Sequence, residues 1–271
     1  MFDQLIIWVR GAGEMASAAA HCLHRVGFGV LMSDLPAPLA IRRTVAFCEA
    51  IFTGTWDVEG VPAKSCDVST APDLISQGII PVVIDTPQIT TLHPHVMVDG
   101  RMLKRHSRDM RTYAPFTVGL GPGFEAGGNC HAAVETMRGH DLGKIIRQGA
   151  AQPHTGVPGE VGGETLRRVI HAPADGPVSW RVDFGDLVRE NDLLGSIDNT
   201  HEIRAPLAGL VRGLISPQVR FKKGLKIADI DPRGRAVDCR TISDKARAVG
   251  RGVLEAILVH LREEHENTKC P

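Results

Sequence analysis

The stretch LIIWVRGAGEMA, residues 5–16, decides the fold that we expect for this chain. The apolar run Leu5 to Val9 predicts a buried strand, and GAGEMA after it fits the G-x-G-x-x-G/A pattern of a mononucleotide-binding βαβ unit. Gly11 would form the tight turn, Gly13 would let a pyrophosphate approach the backbone, and Glu14 would begin the helix. Such a helix directs its positive N-terminus and free N–H groups at the anion. The stretch therefore predicts a nucleotide-binding start to the chain.

The next segment continues this βαβ pattern. Residues 14–25 are rich in alanine and apolar at helical spacing, Gly27 and Gly29 end that helix, and a second apolar run leads to Asp34. Asp34 lies 23 residues after Gly11, close to the spacing of about 20 expected for the acid that holds a ribose hydroxyl. An ordinary βα turn in a domain that binds nothing remains the alternative.

Length and composition limit the kinds of protein that the chain can be. A length of 271 residues favours two domains, and the balance of 31 basic and 31 acidic residues argues against a general nucleic-acid binder. The sequence has no apolar run near 18 residues and no signal-peptide pattern, so we expect no membrane association and a cytoplasmic location. The scattered cysteines match neither a disulfide framework nor a zinc motif, and we expect no metal site.

Basic residues follow the expected nucleotide-binding unit in two places. Arg42 and Arg43 come soon after Asp34, and Arg101 and Lys104 belong to a basic segment after a predicted strand. Both pairs could balance phosphate charge at the carboxyl end of a sheet. Solvated surface charges are the alternative interpretation.

A second glycine-rich edge, PGFEAGGN and its flanks, follows a predicted strand at 116–120. Gly121 and Gly123 could present N–H groups to an anion. The next segment reads as a helix in which His131 and Glu135 share a face and Cys130 lies near the N-terminus, where a thiolate is stabilised. Cys130, His131 and Glu135 are therefore candidate catalytic residues, with a surface His–Glu pair and a buried cysteine as the alternative.

The sequence then repeats itself. Residues 171–198 align without a gap with residues 204–231, at an offset of 33 residues. Each half predicts short strands bounded by turn residues, and two halves would form one pseudo-symmetric all-β module. The repeat resembles the biotinyl/lipoyl barrel-sandwich family, most clearly in HEIRAPLAG at 201–209. Asp198 stands where that family has its carrier lysine, so the resemblance implies the fold and not the prosthetic group.

The whole chain resembles the accessory proteins of selenium-dependent molybdenum hydroxylase systems, the YqeB-like group. The segments that carry this resemblance are VRGAGEMA, LAIRRTVAF, VDGRMLK, VGLGPGFEAG, HAAVETMRGHDLG, TGVPGE, IADIDPR and ISDKARAVGRGVLEAI. That group is distantly similar to the maturation factors of xanthine and carbon monoxide dehydrogenases. The resemblance implies a factor that binds molybdenum cofactor, plausibly molybdopterin cytosine dinucleotide, and assists its modification or insertion into a hydroxylase apoprotein.

The predicted architecture has two domains and a C-terminal helix. Residues 1–165 form an α/β Rossmann-like parallel-sheet domain, residues 166–235 form a barrel-sandwich hybrid domain, and helix 243–266 packs on the first domain. Two other functions stay open: an NAD(P)-dependent oxidoreductase that uses the same glycines, and a non-enzymatic docking protein. We expect a nucleotide-like small molecule as ligand and homo-oligomerisation as a further property.

Overall fold

The computed structural model describes residues 2, 4–157 and 159–269. Its first part is built on a nine-stranded mixed sheet, joined by a separate pair of short strands, β8 and β11. The strands of this part are β1 Ile6–Arg10, β2 Gly29–Asp34, β3 Thr55–Val58, β4 Val61–Ser65, β5 Ile80–Ile84, β6 Val96–Asp99, β7 Phe116–Leu120, β8 Glu125–Ala126, β9 Ala132–Val134, β10 Ile145–Ile146 and β11 Gly149–Ala150. The α-helices in these described ranges are α1 Glu14–Arg25, α2 Glu49–Thr53, α3 Ala71–Ser76 and α4 Asp244–Lys269.

The strand order of the large sheet places β1 near its centre. The order is β10-β9-β7-β6-β1-β2-β5-β4-β3, so β1 lies between β2 and β6. The seven strands from β9 to β4 pair in parallel, and the edge strands β10 and β3 are antiparallel to their neighbours. The chain leaves β1 toward β2 and later returns to the other side of β1 as β6. In open α/β sheets such a change of direction creates a crevice at the carboxyl ends of the strands.

The fold class expected from the sequence is wrong. The large sheet is mixed rather than parallel, and the connection from β6 to β7 has no helix among the residues that the structure describes. The repeat region forms two separate antiparallel sheets, of four and three strands, in place of a clear barrel-sandwich domain. The apolar runs and glycine turns were correctly recognised as strands and turns, but they do not report which strands pair or in which direction.

Strand alternation divides the core of the large sheet into two layers. Ile7 and Val9 of β1 face the layer that contains α1 and α4, whereas Trp8 between them faces the opposite layer with Leu31 and Met97. Successive side chains of a strand point to opposite faces, so a buried central strand is apolar throughout. This burial fixes the position of the residues that follow β1.

Helix α4 packs closely against α1 because both helices present small residues at the contact. A Cβ atom at Gly250 would lie 2.7 Å from the carbonyl oxygen of Ala18 in α1. Elsewhere on α4, a Cβ atom at Gly252 would lie 2.2 Å from the carbonyl oxygen of Gly143, in the segment before β10. Ala246, Val249 and other buried side chains of α4 join the same core as α1. The contact brings the first turn of α4 beside the first turn of α1.

The second part of the chain contains two antiparallel sheets around one apolar core. Its strands are β12 Val169–His171, β13 Val178–Trp180, β14 Leu187–Val188, β15 Leu193–Ile197, β16 His201–Arg204, β17 Gly209–Leu214 and β18 Lys226–Asp231. Val178 pairs with Ile197 and Val211 pairs with Ile230, which reproduces the 33-residue offset of the repeat. The two halves therefore share a strand register as well as a sequence pattern.

The loop after β2 joins the two parts. The backbone N–H of Leu214 donates to the carbonyl of Ile41 (2.8 Å), and Arg43 Nε donates to the carbonyl of Leu214 (2.9 Å). Thr44 also donates to the carbonyl of Cys239. These contacts hold β17 and β18 over the carboxyl ends of β1 and β2.

None of the helices in the described ranges combines the length and apolarity that crossing a bilayer requires. The cytoplasmic location and the domain boundaries stay predictions.

Candidate functional site

A cavity of about 890 Å³ lies at the carboxyl ends of the central strands. Its floor is formed at the ends of β1, β2 and β6: Gly11 and Gly100 follow β1 and β6, and Asp34 is the last residue of β2. Its opposite wall comes from the second part of the chain, including Lys226 and Asp229 of β18. The cavity therefore lies at the change of direction in the sheet and between the two parts of the molecule.

The two glycines of the first turn have different roles. Gly11 has a positive φ of 91°, and a Cβ there would lie 3.0 Å from the backbone nitrogen of Arg101, so a side chain would be strained. Gly13, the N-cap of α1, has extended backbone, and a Cβ there would meet only Ala40 at 3.9 Å. No side chain caps α1 at this residue. The first N–H groups of the helix therefore face open space in the cavity.

Asp34 fixes the turn after β1. Its carboxylate accepts hydrogen bonds from the backbone N–H groups of Ala12 (2.7 Å) and Leu35 (2.8 Å). Burial raises the pKa of this carboxyl group, whereas the two N–H donors act in the opposite direction. Each carboxylate oxygen retains a lone pair, so the group could still accept a hydrogen bond from a ligand hydroxyl.

Glu14 lies between two arginines at the start of α1. Its carboxylate accepts a hydrogen bond from the Ser243 hydroxyl (2.8 Å) and lies 3.7 Å from Arg42 Nε and 3.9 Å from Arg212. Arg42 is only 5% exposed, and its Nε has no hydrogen-bond partner among the described residues. Unmade hydrogen bonds of buried charged groups are costly, which makes this side of the cavity a candidate for anion binding.

Three lysines approach the same space from three segments. Lys104 comes from the loop after β6, Lys226 begins β18, and Lys245 lies in the first turn of α4. Burial lowers the pKa of Lys226 and of Lys245, and the positive charge of Lys104 contributes in both cases. The surroundings of Lys226 and Lys245 therefore disfavour the protonated, positively charged form of both side chains.

The charge of the cavity lining is unbalanced. Nine lysine and arginine side chains line it, against five aspartate and glutamate side chains. Arg168 is one of these: its two terminal nitrogens donate to Asp229 and to the carbonyl of Gly159 (2.9 Å), whereas its buried Nε has no partner among the described residues. The excess of basic groups favours an anionic ligand.

The structure brings together eight of the thirteen candidate residues. The residues that line the cavity are Gly11, Gly13, Glu14, Asp34, Arg42, Arg101, Lys104 and Glu135. Arg101 is tied to Asp99 by a bidentate ion pair with distances of 2.6 to 3.1 Å. That pairing reduces the charge that Arg101 can offer to a ligand. Whether these residues bind a cofactor stays a prediction.

Arg43, Gly121 and Gly123 lie outside the cavity lining. Arg43 forms an ion pair with Glu49 (2.7 Å) and donates to the Leu214 carbonyl, so it stabilises the contact between the two parts of the chain. Gly121 and Gly123 have positive φ, and a Cβ would meet Thr136 Oγ1 at 2.3 Å and the Arg105 carbonyl oxygen at less than 2 Å. Close packing against the neighbouring loop explains both glycines.

The helix predicted after Asn129 is wrong. Residues 132–134 form strand β9, in which residues four apart lie about 13 Å from each other rather than on one helical face. His131 accepts a hydrogen bond from the Thr117 N–H (3.1 Å), whereas Glu135 accepts from Thr136 and Met137 (2.6 Å each) and from Gln152 (2.8 Å). Cys130 is fully buried, and burial raises its pKa to about 11. The structure therefore provides no shared site for Cys130, His131 and Glu135.

We expect Cys130 to react with iodoacetamide at pH 8 about a hundredfold more slowly than a model thiol, because only the thiolate reacts and burial suppresses it. Peptide mapping by mass spectrometry would measure the rate at this cysteine. The same residue in the urea-unfolded chain serves as control and should label at the model rate. A folded-state rate equal to that of the unfolded chain would contradict the burial described here.

The cavity also contains residues that sequence reasoning did not select. Lys226, Lys245, Arg168, Arg212 and Asp229 all come from beyond residue 165 and face the glycine turn across the cavity. The only sequence signal for Arg212 and Lys226 is that each is a single basic residue among apolar residues of a predicted strand. Among the described residues, no group of three potential metal ligands is close enough to hold a metal ion.

Comparisons with known proteins were made at three levels. No protein-family model matches the chain. It is 46% identical over 269 residues to the "Uncharacterized protein YqeB" of Escherichia coli (strain K12), covering 98% of this chain and 49% of that protein. The chain thus spans about half the length of the curated relative it matches.

Two of the solved structures that match this chain show that its similarity to them is low. They are the product-bound ectoine utilization protein EutE (DoeB) from Ruegeria pomeroyi, 15% identical, and a succinylglutamate desuccinylase/aspartoacylase from Rhodobacter sphaeroides, 13% identical. Each alignment covers 83% of this chain and 84 to 85% of the other, with a TM-score of 0.27. Similarity at this level carries no argument about the fold or activity of this chain.

The sequence comparison corrects the expected relationship to molybdenum hydroxylase accessory proteins. The curated relative that shares the motifs is uncharacterized, so the motifs identify a similar sequence rather than an activity. The expected maturation function is therefore wrong as an assignment.

Proposed function

We propose that this chain binds a diphosphate-containing nucleotide in the cavity at the carboxyl ends of β1, β2 and β6. The observation that carries the proposal is the free N-terminus of α1, where Gly13 leaves open space and, among the described residues, no side chain caps the first N–H groups. Such an end stabilises a phosphate through its N–H groups and its dipole. The basic lining of the cavity adds to this attraction.

Asp34 supports a nucleotide rather than free phosphate. Its carboxylate lies at the end of β2, beside the turn that carries Gly11 and Gly13, and is held by two backbone N–H groups. A carboxylate placed one strand away from a phosphate site suits hydrogen bonding to a ribose hydroxyl. The ligand would therefore lie across the first βαβ unit.

The dimensions of the cavity agree with this class of ligand. Its volume of about 890 Å³ lies within the range of roughly 300–1,000 Å³ that is usual for small-molecule sites. The aliphatic side chains of Leu35 and Leu39 also line it, and both are about half exposed. They offer an apolar surface near Asp34 for a planar base. We place this binding activity in the cytoplasm, because the spacing of the cysteines is that of a protein without a disulfide framework.

Substitution of Gly13 by valine tests the proposal. The side chain would occupy the space beside the first N–H groups of α1, so we expect the Kd for adenosine diphosphate ribose to rise about tenfold or more. The extended backbone and the open surroundings of Gly13 should leave the fold intact, as circular dichroism would show. Isothermal titration calorimetry would give the affinities.

Arg25→Val is the matched control, since it introduces the same side chain at the exposed far end of the same helix. Its affinity should equal that of the unmodified chain. Equal affinities of the Gly13→Val variant and the unmodified chain would contradict the proposal. So would the absence of binding to adenosine, guanosine, cytidine and uridine diphosphates and to adenosine diphosphate ribose at millimolar concentration.

A further inference from the structure

Three lysines of the cavity lining form a group that we call the lysine cluster. Lys104, Lys226 and Lys245 belong to different segments, yet all three line the same cavity. Among the described residues, none of their ammonium groups has a carboxylate oxygen within 4.0 Å. The fold therefore brings three positive charges to one cavity without a direct ion pair to any of them among the described residues.

Most of the arginines that line the cavity, in contrast, have an ion-pair partner. Five of the six have a carboxylate within 4.0 Å, namely Arg42, Arg101, Arg138, Arg168 and Arg212. The sixth, the exposed Arg105, has none among the described residues. Bringing like charges together in a partly buried site costs free energy unless an opposite charge joins them. The lysine cluster is thus the part of the lining where several positive charges lack an ion-pair partner among the described residues.

Two of the lysines lie on the Glu14 side of the α1 N-terminus. Glu14 accepts a hydrogen bond from Ser243, two residues before Lys245. Glu14 also lies 3.9 Å from Arg212, which approaches Asp229 in the strand that Lys226 begins. Asp34 instead accepts from the N–H of Ala12, in the turn before α1. A nucleotide bound with its ribose at Asp34 and its diphosphate at Gly13 would therefore extend its remaining half toward the lysines. The positive charge of the lysines determines which chemical groups the remaining half of the nucleotide can carry.

We infer that the ligand carries a carboxylate or a further phosphate on the half that extends beyond the α1 N-terminus, bound by Lys104, Lys226 and Lys245. This inference rests on the proposed nucleotide binding and adds the charge of the second half. A neutral or cationic group there would leave the lysines unpaired, so the site should discriminate against oxidised nicotinamide. Recognition by charge in a partly buried site gives selectivity as well as affinity.

A matched pair of ligands tests the charge directly. Nicotinic acid adenine dinucleotide differs from NAD+ only by a carboxylate in place of a carboxamide, and both carry the same diphosphate and ribose groups. We expect the acid to bind at least about fivefold more tightly. Lys226→Met and Lys245→Met should each remove most of this preference, while the Kd for NAD+ changes less than about twofold.

Lys223→Met is the control, because Lys223 is an exposed lysine in the turn before β18 and does not line the cavity. This variant should keep the full preference for the acid. Equal affinity of the unmodified chain for the two dinucleotides would overturn the inference, as would a preference that persists in both lysine variants. Binding of both dinucleotides would still leave the proposed function standing.

If neither dinucleotide binds, inorganic pyrophosphate serves as the probe. Calorimetric binding of pyrophosphate that Lys226→Met weakens and Lys223→Met does not would support an anion site at the lysines although the proposed nucleotide binding had failed. Pyrophosphate that does not bind, or that binds equally to all three proteins, would overturn the inference.

Discussion

The Arg168→Met variant is expected to lose about 3–5 kcal/mol of the free energy of unfolding. Arg168 precedes β12 and donates to Asp229 of β18, and the two residues are only 7% and 3% exposed. Removal of the guanidinium would leave the Asp229 carboxylate buried without its hydrogen-bonded partner. Arg212 could not replace it without moving, because its Nη1 lies 3.7 Å from that carboxylate.

Urea denaturation followed by tryptophan fluorescence would measure this loss. Arg167→Met is the control, since the neighbouring arginine has a side chain that is 56% exposed and pairs with Glu164 and Glu190 at the surface. Exposed ion pairs contribute about 0–1 kcal/mol, so this variant should retain nearly all its stability. Similar losses of unfolding free energy in the two variants would contradict the expected contribution of the buried Arg168–Asp229 pair.

We expect Gly252→Ala to destabilise the protein by about 3 kcal/mol, although alanine favours helices by about 1 kcal/mol over glycine. The added Cβ would lie 2.2 Å from the carbonyl oxygen of Gly143, so α4 or the segment around Gly143 would have to shift. At roughly 2–4 °C per kcal/mol for a chain of this size, the melting temperature should fall by about 6–12 °C.

Differential scanning calorimetry would test this prediction, with Gly13→Ala as the control. The same methyl group is added there, but it would meet only Ala40 at 3.9 Å. Glycine is a better N-cap than alanine, so the control should cost about 1 kcal/mol or less. A melting temperature of Gly252→Ala within about 2 °C of the unmodified chain would contradict the close packing of α4.

The first βαβ segment could be predicted from the sequence because its determinants are local. Gly11, Gly13 and Asp34 are placed by a short strand, a tight turn and the helix between them, and the structure puts all three at the cavity. The prediction of a helix after Asn129 was wrong because the spacing of His131 and Glu135 fits a helix, whereas Ala132 to Val134 pair with β7. Tertiary pairing decided between two locally acceptable conformations.

The second wall of the cavity could not be predicted in the same way. Lys226 and Lys245 reach it through the packing of β18 over the sheet and of α4 on α1, and no sequence spacing relates them to Gly13. The strand register of the repeat did follow from its 33-residue offset, since Val178–Ile197 and Val211–Ile230 pair alike. The separation into two sheets and the mixed strand directions depend on long-range pairing, which the repeat does not encode.

The hydrogen bond from Ser243 to Glu14 spans 229 positions of the chain and has a consequence for biosynthesis. Gly13 leaves the ribosome early, but Lys245 emerges only after more than two hundred further residues. If the proposed nucleotide binding holds, a nascent chain that has formed only β1 and α1 would expose the phosphate-binding turn without the wall that faces it. Binding that needs both walls would then require translation of the segment that opens α4, so that it depends on completion of both parts of the molecule.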